Sequence, residues 1–255
     1  MILLSSLFRF RLFLLIIFSL ILNKNSFSQQ NKIIITAEKV VYKKIDSTLL
    51  NLHIYKPLNF HKDSIYNCIV FFHGGGWNNG SPRMFKRQSM YFASRGMIAI
   101  AAEYRIKNKH NTTPFEAVED AKSAIRYVRE NAKELNINPN MIVAGGGSAG
   151  GHLAAACGNI EGLDNPKENL KISSVPNALV LLNPVIDNGP NAFGYQRFRN
   201  RYKEISPIHN ISKGAPPTII LIGTKDKIIP VSTVKNYQTN MKTVGSRCEL
   251  VLYKD

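Results

Sequence analysis

The feature that most constrains this chain is Gly146-x-Ser148-x-Gly150, set within Gly145-Gly146-Gly147-Ser148-Ala149-Gly150-Gly151. Just ahead of it, Asn140 to Ala144 (NMIVA) is a short apolar run with β-branched residues. Just after it, Gly151 to Gly158 (GHLAAACG) is small and helix-compatible. The pattern reads as strand, sharp turn, helix, a nucleophile elbow that lifts one serine hydroxyl above the edge of a sheet. Glycines two before and two after the serine let strand and helix pass closely. Five residues alone are a weak sign, so the surroundings must carry the reading.

Upstream, Asn67 to Phe72 (NCIVFF) is an apolar strand that runs into His73-Gly74-Gly75-Gly76-Trp77. Acyl transfer needs donors aimed at the oxygen that becomes negative in the tetrahedral intermediate, and backbone free of side chains can turn several N–H groups into one small space. The N–H groups of Gly75 and Gly76, with that of Ala149 after the serine, are the expected oxyanion hole.

With these two motifs the chain resembles the α/β-hydrolase fold serine esterases of the hormone-sensitive-lipase and carbohydrate-esterase-like branches, the latter including acetyl xylan and feruloyl esterases. HGGGW and GGSAGGHLA carry the likeness. It extends through Ala101-Ala102-Glu103-Tyr104-Arg105, the expected helix Phe115 to Leu135, Tyr202-Lys203-Glu204-Ile205-Ser206-Pro207 and Gly223-Thr224-Lys225-Asp226, from about Ile33 to the last residue. The resemblance implies a carboxylic-ester hydrolase with a triad in the chain order Ser, Asp, His. It also suggests small ester or acylated carbohydrate substrates with short acyl groups. A prolyl-oligopeptidase-type peptidase shares the core, but no propeller domain is visible.

The body of the chain reads independently as α/β. Lys32 to Lys43 and Thr48 to Tyr55 are expected to form an antiparallel hairpin at the sheet edge, joined by Lys44-Ile45-Asp46-Ser47. From Cys68 onward strands alternate with helices, which predicts a mostly parallel sheet between two helical layers, the three-layer α/β/α arrangement. The helices are expected near Pro82 to Ser94, Pro114 to Leu135, from Ala149, and Val231 to Val244. His53 alternates with apolar residues and is expected to be structural. Glu116, Glu119 and Asp120 precede Arg126, Arg129 and Lys133 in one helix, an order that suits the dipole and i,i+4 pairing. Val185 to Ala215 is irregular and is expected to shape an open cleft, with Phe193, Tyr195, Phe198 and Tyr202 either lining it or packing beneath it.

The 255 residues suggest one domain behind a leader. Arg9 and Arg11 precede the uncharged Leu12 to Leu22, and Ser26-Phe27-Ser28 offers small residues at a cleavage site. Residues 1–28 therefore read as a secretory signal peptide, and 29–255 as the hydrolase domain. Eleven apolar residues fall short of the roughly 20 that span a bilayer, so no stable membrane insertion is expected and the product is secreted or periplasmic. There are 33 Lys and Arg against 17 Asp and Glu, a net charge of +16. The charges are spread along the chain apart from Arg197, Arg199, Arg201 and Lys203, which favours a solvated basic surface, and no nucleic-acid motif accompanies them. Cys68, Cys157 and Cys248 are odd in number and core-like in setting, hence expected as buried free thiols. No spacing suggests a metal, and a triad needs no cofactor.

A serine hydroxyl needs a base, and the base an orienting carboxylate. Asp226, after the buried run Pro217 to Gly223, is the expected acid, with Asp187 as runner-up. The histidine is the difficulty, because His53, His61, His73, His110, His152 and His209 all precede Asp226. His152, His209 and His73 would each have to reinvent the geometry. The expectation is a fragment of a longer reading frame that lacks the final His loop and helix and, as written, has little activity. The competing expectation is a non-catalytic hydrolase-like module that binds a carbohydrate or ester ligand.

Overall fold

The computed structural model describes residues 36–254. The expected signal peptide, the start of the first expected strand and the last residue lie outside them. Within them, eight strands form one sheet: β1 (Glu38–Ile45), β2 (Thr48–Tyr55), β3 (Tyr66–Phe72), β4 (Ile98–Ala102), β5 (Ile137–Gly147), β6 (Ala178–Leu182), β7 (Thr218–Gly223) and β8 (Cys248–Tyr253), in the order β1-β2-β4-β3-β5-β6-β7-β8. β1 pairs antiparallel with β2, and β2 antiparallel with β4; every other pairing is parallel. Four helices of nine residues or more cover it: α1 (Lys86–Ser94), α2 (Pro114–Glu130), α3 (Ala149–Asn159) and α4 (Val231–Thr243).

Composition separates the central strands from the edge. β3 and β4 are all but continuous apolar runs, and such strands need cover on both faces. β1 exposes half of its residues and occupies the edge. Phe71 and Phe72 point to opposite faces, Phe72 into the larger core with Leu153 and Ile125, Phe71 onto Phe85 with ring centroids 4.8 Å apart. Burying each such side chain stabilises by about 1.5–3 kcal/mol.

Three expected boundaries move. The hairpin turn is two residues shorter than expected, because Ile45 pairs directly with Thr48 and Asp46 takes φ 49°, the left-handed geometry that two-residue loops require. α2 stops at Glu130 rather than Leu135: Asn136 turns left-handed at φ 59° and Ile137 N–H bonds back to Ala132 O at 2.7 Å. The expected start of the first helix, Pro82, opens a 3-10 turn, Pro82–Phe85, that leads into α1.

The acidic and basic residues of α2 are scaffold as expected, but their partners lie elsewhere in the chain rather than one turn away. Asp120, wholly buried, meets Lys43 Nζ at 2.8 Å and Arg105 Nε at 2.7 Å. Arg126 pairs with Asp164 and with Glu168, the latter at 2.7 Å. Glu116 completes a capping box with Thr113 at the helix start. His53 is structural, its Nε2 2.9 Å from Glu103 Oε1. Burial alone would raise the Glu103 pKa, but hydrogen bonds from His53 and Asn51 outweigh it and hold the group down to about 2.

All three cysteines are buried and free. Burial raises the Cys157 thiol to about 12 and that of Cys248 to about 11, which keeps both protonated and unreactive. No helix among the described residues is long and apolar enough to cross a membrane.

Candidate active site

In a parallel sheet the carboxyl ends of all strands emerge on one edge, and here that edge gathers the predicted groups. His73 to Trp77 follow β3, Ser148 follows β5, Asp187 lies five residues past β6 and Asp226 three past β7. β5 and β3 are neighbours; β5 and β7 are separated only by β6. At about 4.8 Å between strands, the serine and Asp226 leave β-strands roughly 10 Å apart, a gap that one imidazole spans.

Ser148 sits at φ 53°, ψ −119°, a backbone conformation that costs about 1–3 kcal/mol for a residue with a side chain. Three backbone bonds hold it there. Its N–H donates to Leu182 O at 3.0 Å, and its own carbonyl accepts from His152 N–H at 3.0 Å and Val185 N–H at 3.2 Å. The flanking glycines are sterically obligatory: a Cβ on Gly150 would lie 2.0 Å from Phe72 O, and one on Gly146 2.4 Å from Gly150 backbone. Among the described residues the Ser148 hydroxyl, half-buried, has no hydrogen-bond partner.

The glycine loop is brought against this elbow. A Cβ on Gly74 would meet Ser148 Cβ at 3.5 Å and Gly147 O at 3.1 Å. Gly75 and Gly76 take φ 113° and 58°, and Trp77 φ 58°, an unusual conformation for a bulky residue. Gly75 O accepts from Asn78 and Asn79 N–H at 3.1 and 3.2 Å, which folds the loop back on itself. The Gly75 and Gly76 N–H groups donate to no backbone acceptor among the described residues. Ala149 opens α3, so its N–H has no partner within the helix. The structure thus places the three predicted donors on two segments that touch beside one serine.

His73 does not face that space. It is buried, with Nδ1 2.7 Å from Gly74 O and its own carbonyl accepting from Tyr104 O–H at 2.7 Å. Its ring stacks on Tyr104 at 4.2 Å, and burial lowers its pKa. It holds the loop's shape. His152 is also buried, with Nε2 2.8 Å from Ile205 O and its ring edge-on to Trp77 at 4.9 Å. Burial drives its pKa down to about 4. His209 Nδ1 lies 2.9 Å from Ser206 Oγ and 4.0 Å from Asp187 Oδ1. Those two residues share a cleft of about 330 Å³ with Asn236, Thr239 and Asn240, and Ser148 does not line it. Asp187 and His209, considered separately in the sequence, are thus brought together.

Asp226 Oδ1 accepts the N–H groups of Ile228 and Ile229 at 2.8 and 2.9 Å, which fixes its χ1 and leaves Oδ2 for another donor. Beside it, Lys227 to Pro230 and Asp187 to Phe193 border a cleft of about 340 Å³. Phe193 links this cleft to the glycine loop, its Cζ 3.7 Å from where a Gly76 side chain would begin. Phe193 therefore lines, whereas Phe198 packs: it is buried, edge-on to Trp77 at 5.7 Å and to Phe115 at 6.2 Å. A larger cleft of about 470 Å³ includes Lys122 and Arg126 of α2 and Gly158 at the far end of α3, roughly 15 Å from the elbow at 1.5 Å per residue. Its buried cations are already paired with Asp164 and Glu168, whereas the smaller cleft is bordered by the segments that follow β6 and β7. Among the described residues no cluster of His, Cys, Asp or Glu could hold a metal ion.

Two contributors went unread in the sequence. Trp77 is buried against His152, Phe193 and Phe198 and so ties the glycine loop to α3 and to the insertion. Arg197 reaches back over 121 positions to donate to Gly76 O, and its guanidinium lies 5.5 Å from the Trp77 ring. The tryptophan of HGGGW could have signalled the first; no local pattern signals the second.

Comparison with known proteins agrees with this geometry. Residues 52–195 match the BD-FAE family. The chain is 27% identical over 197 residues to a probable carboxylic ester hydrolase, LipM, of Mycobacterium tuberculosis, covering 68% of this chain and 44% of LipM. It is 28% identical to an acetylxylan esterase of Xylanibacter ruminicola, covering 73% of this chain and 39% of that protein. The chain spans about half the length of the curated relatives it matches. Among solved structures, the apo form of Thermogutta terrifontis esterase 2 superposes with a TM-score of 0.82 at 47% identity, covering 86% of this chain and 83% of that one. The chain belongs to the BD-FAE family, within the hormone-sensitive-lipase-like branch of the α/β-hydrolases.

Proposed function

We propose that the protein is an exported serine carboxylic-ester hydrolase that removes short acyl groups from carbohydrate or other small esters. The observation that carries this reading is the approach of the glycine loop, at Gly74, to the strained Ser148 elbow. Ser148 Oγ attacks the ester carbonyl, and the N–H groups of Gly75, Gly76 and Ala149 receive the oxygen as it becomes negative. Such donors act before the substrate arrives and need no reorganisation, which is why removing one costs about 10²–10³-fold in rate. Asp226 orients the base from the end of β7. β8 runs parallel beside β7, so a base following it would stand next to Asp226 on the same edge. None of the six histidines of this sequence follows Asp226, and the two on the segments that meet at the elbow, His73 and His152, are buried in structural bonds.

The resemblance to esterases that include an acetylxylan esterase supports a short acyl group and a carbohydrate alcohol. The test is hydrolysis of p-nitrophenyl acetate, with and without added imidazole, by the protein and by Ser148→Ala. A complete triad gains about 10⁶-fold from its histidine, and about 10³–10⁴-fold over water remains without it. We expect modest turnover that imidazole raises and that Ser148→Ala removes. Equal rates for the two proteins at every imidazole concentration would leave the non-catalytic ligand-binding module as the reading.

A further inference from the structure

Arg197 stands beside the proposed oxyanion hole without a job in it. Its guanidinium donates to Gly76 O, and its two terminal nitrogens lie 3.9 and 4.0 Å from where a Gly76 side chain would begin. The same group leans over the Trp77 ring at 5.5 Å. No carboxylate pairs with it among the described residues, whereas Arg201, four positions on, is bonded to Glu204 at 2.7 Å and lies over Phe115. Arg199 and Lys203 likewise lack a carboxylate partner among the described residues, and Arg199 is held at φ 46°. Partial burial lowers the Arg197 pKa, the sign of a cation short of compensating charge. Side-chain-to-backbone bonding fixes the planar fork while leaving donors to spare, since a guanidinium has five N–H groups.

Adding bond lengths and one hydrogen bond puts this fork within roughly 9 Å of an oxygen bound at the Gly76 N–H. A carboxylate two to four bonds from the ester group reaches it.

We propose that Arg197 is a substrate-binding residue that selects esters carrying a carboxylate near the scissile bond, on a basic rim formed with Arg199 and Lys203. This names the substrate class of the esterase reading above and rests on that reading. Arg197 discriminates by charge, and Phe193 supplies the apolar wall next to it.

The test uses amide mimics, so it reads binding without turnover. Calorimetry measures the affinity of N-phenylsuccinamate against N-phenylbutyramide, for a carboxylate on the acyl side. The pair para-acetamidobenzoate and acetanilide tests the alcohol side. In the wild-type protein at least one anion should bind about tenfold tighter than its neutral partner, the size expected of an exposed charge-assisted bond, and added sodium chloride should erode the difference. In Arg197→Gln, which keeps a donor for Gly76 O, that ratio should fall to near one. Absence of binding by all four compounds, equal affinities within both pairs, or a preference that survives Arg197→Gln would each overturn the proposal. Equal affinities alongside Ser148-dependent ester hydrolysis would overturn it while leaving the esterase reading standing. An Arg197-dependent anion preference without such hydrolysis would overturn the esterase reading, and with it the claim that the selected ligands are esters, leaving Arg197 as an anion-binding residue only.

Discussion

The elbow around Ser148 and the charged face of α2 are both rigid, but they are rigid for opposite reasons. At the elbow, shape is set by what cannot be there: a methyl group at Gly150 or Gly146 would overlap backbone. At α2, shape is set by what must be there: Asp120 is buried only because Lys43 and Arg105, 77 positions before it and 15 before it, bring cations to it. Exclusion leaves a local mark in the sequence, a run of glycines. Pairing across the fold leaves none.

The largest break in this comparison is Gly150→Ala. The new Cβ would sit 2.0 Å from Phe72 O on β3, a backbone atom of the central sheet that cannot swing aside. Overpacking a core typically costs about 1–3 kcal/mol, and collision with backbone goes beyond that range. We expect at least about 4 kcal/mol lost in urea unfolding, or no soluble folded protein. A loss below about 1 kcal/mol would show that β3 and α3 can part, and that the elbow is not fixed by exclusion.

Next comes Asp120→Ala, which strikes the paired region. It leaves Lys43 and Arg105, with side chains 5% and 12% exposed, without their central carboxylate; Glu119, 31% exposed, still reaches both. Removing one member of a buried ion group costs about 3–5 kcal/mol, and the surviving Glu119 contacts put this case at the lower end. The measurement is again urea unfolding. A Lys43→Met, Asp120→Leu double variant sharpens the point, since replacing buried charges by apolar groups can be neutral; recovery of most of the loss would show that the pair serves specificity more than stability.

A third effect is read through pH. His152 belongs to α3, one turn past the serine, and burial holds its pKa at about 4 against an ordinary 6.5. Between those values the unfolded chain binds the proton and the folded chain does not, so stability is full above about 6.5 and falls as pH drops towards 4. A difference of that size is worth about 3 kcal/mol. Glu103, depressed to about 2, adds a loss in the same direction at lower pH, starting below about 4.5. In His152→Gln the slope between pH 6.5 and 4 should flatten, whatever the variant does to the baseline. An unchanged slope would assign the acid sensitivity elsewhere.

The same contrast explains how much of the molecule could be read beforehand. The alternation of strands and helices, the mostly parallel sheet with its antiparallel hairpin, and the sharp glycine-flanked turn at Ser148 were legible, because period, apolar runs and glycine placement are local. The Asn136 turn that ends α2 early was not, since a left-handed asparagine looks like any other polar residue. Nor was Arg197, whose bond to Gly76 O depends on how the Val185 to Ala215 insertion folds back over β3. The i,i+4 pattern on α2 pointed to the right residues as scaffold and to the wrong partners, because a buried carboxylate takes the cation that desolvates with it, not the nearest one along the helix.

The smallest predicted effect is a gain. Ser148 holds φ 53°, ψ −119°, where a Cβ is unfavourable and glycine is not. The three backbone bonds to Leu182, Val185 and His152 do not involve its side chain, so Ser148→Gly keeps them. The hydroxyl has no partner among the described residues to lose. Added backbone freedom in the unfolded chain offsets part of the relief, a term of about 0.5–1 kcal/mol against a strain of about 1–3. We therefore expect Ser148→Gly to be more stable than the wild type by about 1 kcal/mol, and Ser148→Ala, which keeps the Cβ, to gain little. If both variants were destabilised alike, the serine hydroxyl would be contributing to the fold. If glycine alone gains, the strain is carried by the one side chain to which the proposed chemistry belongs.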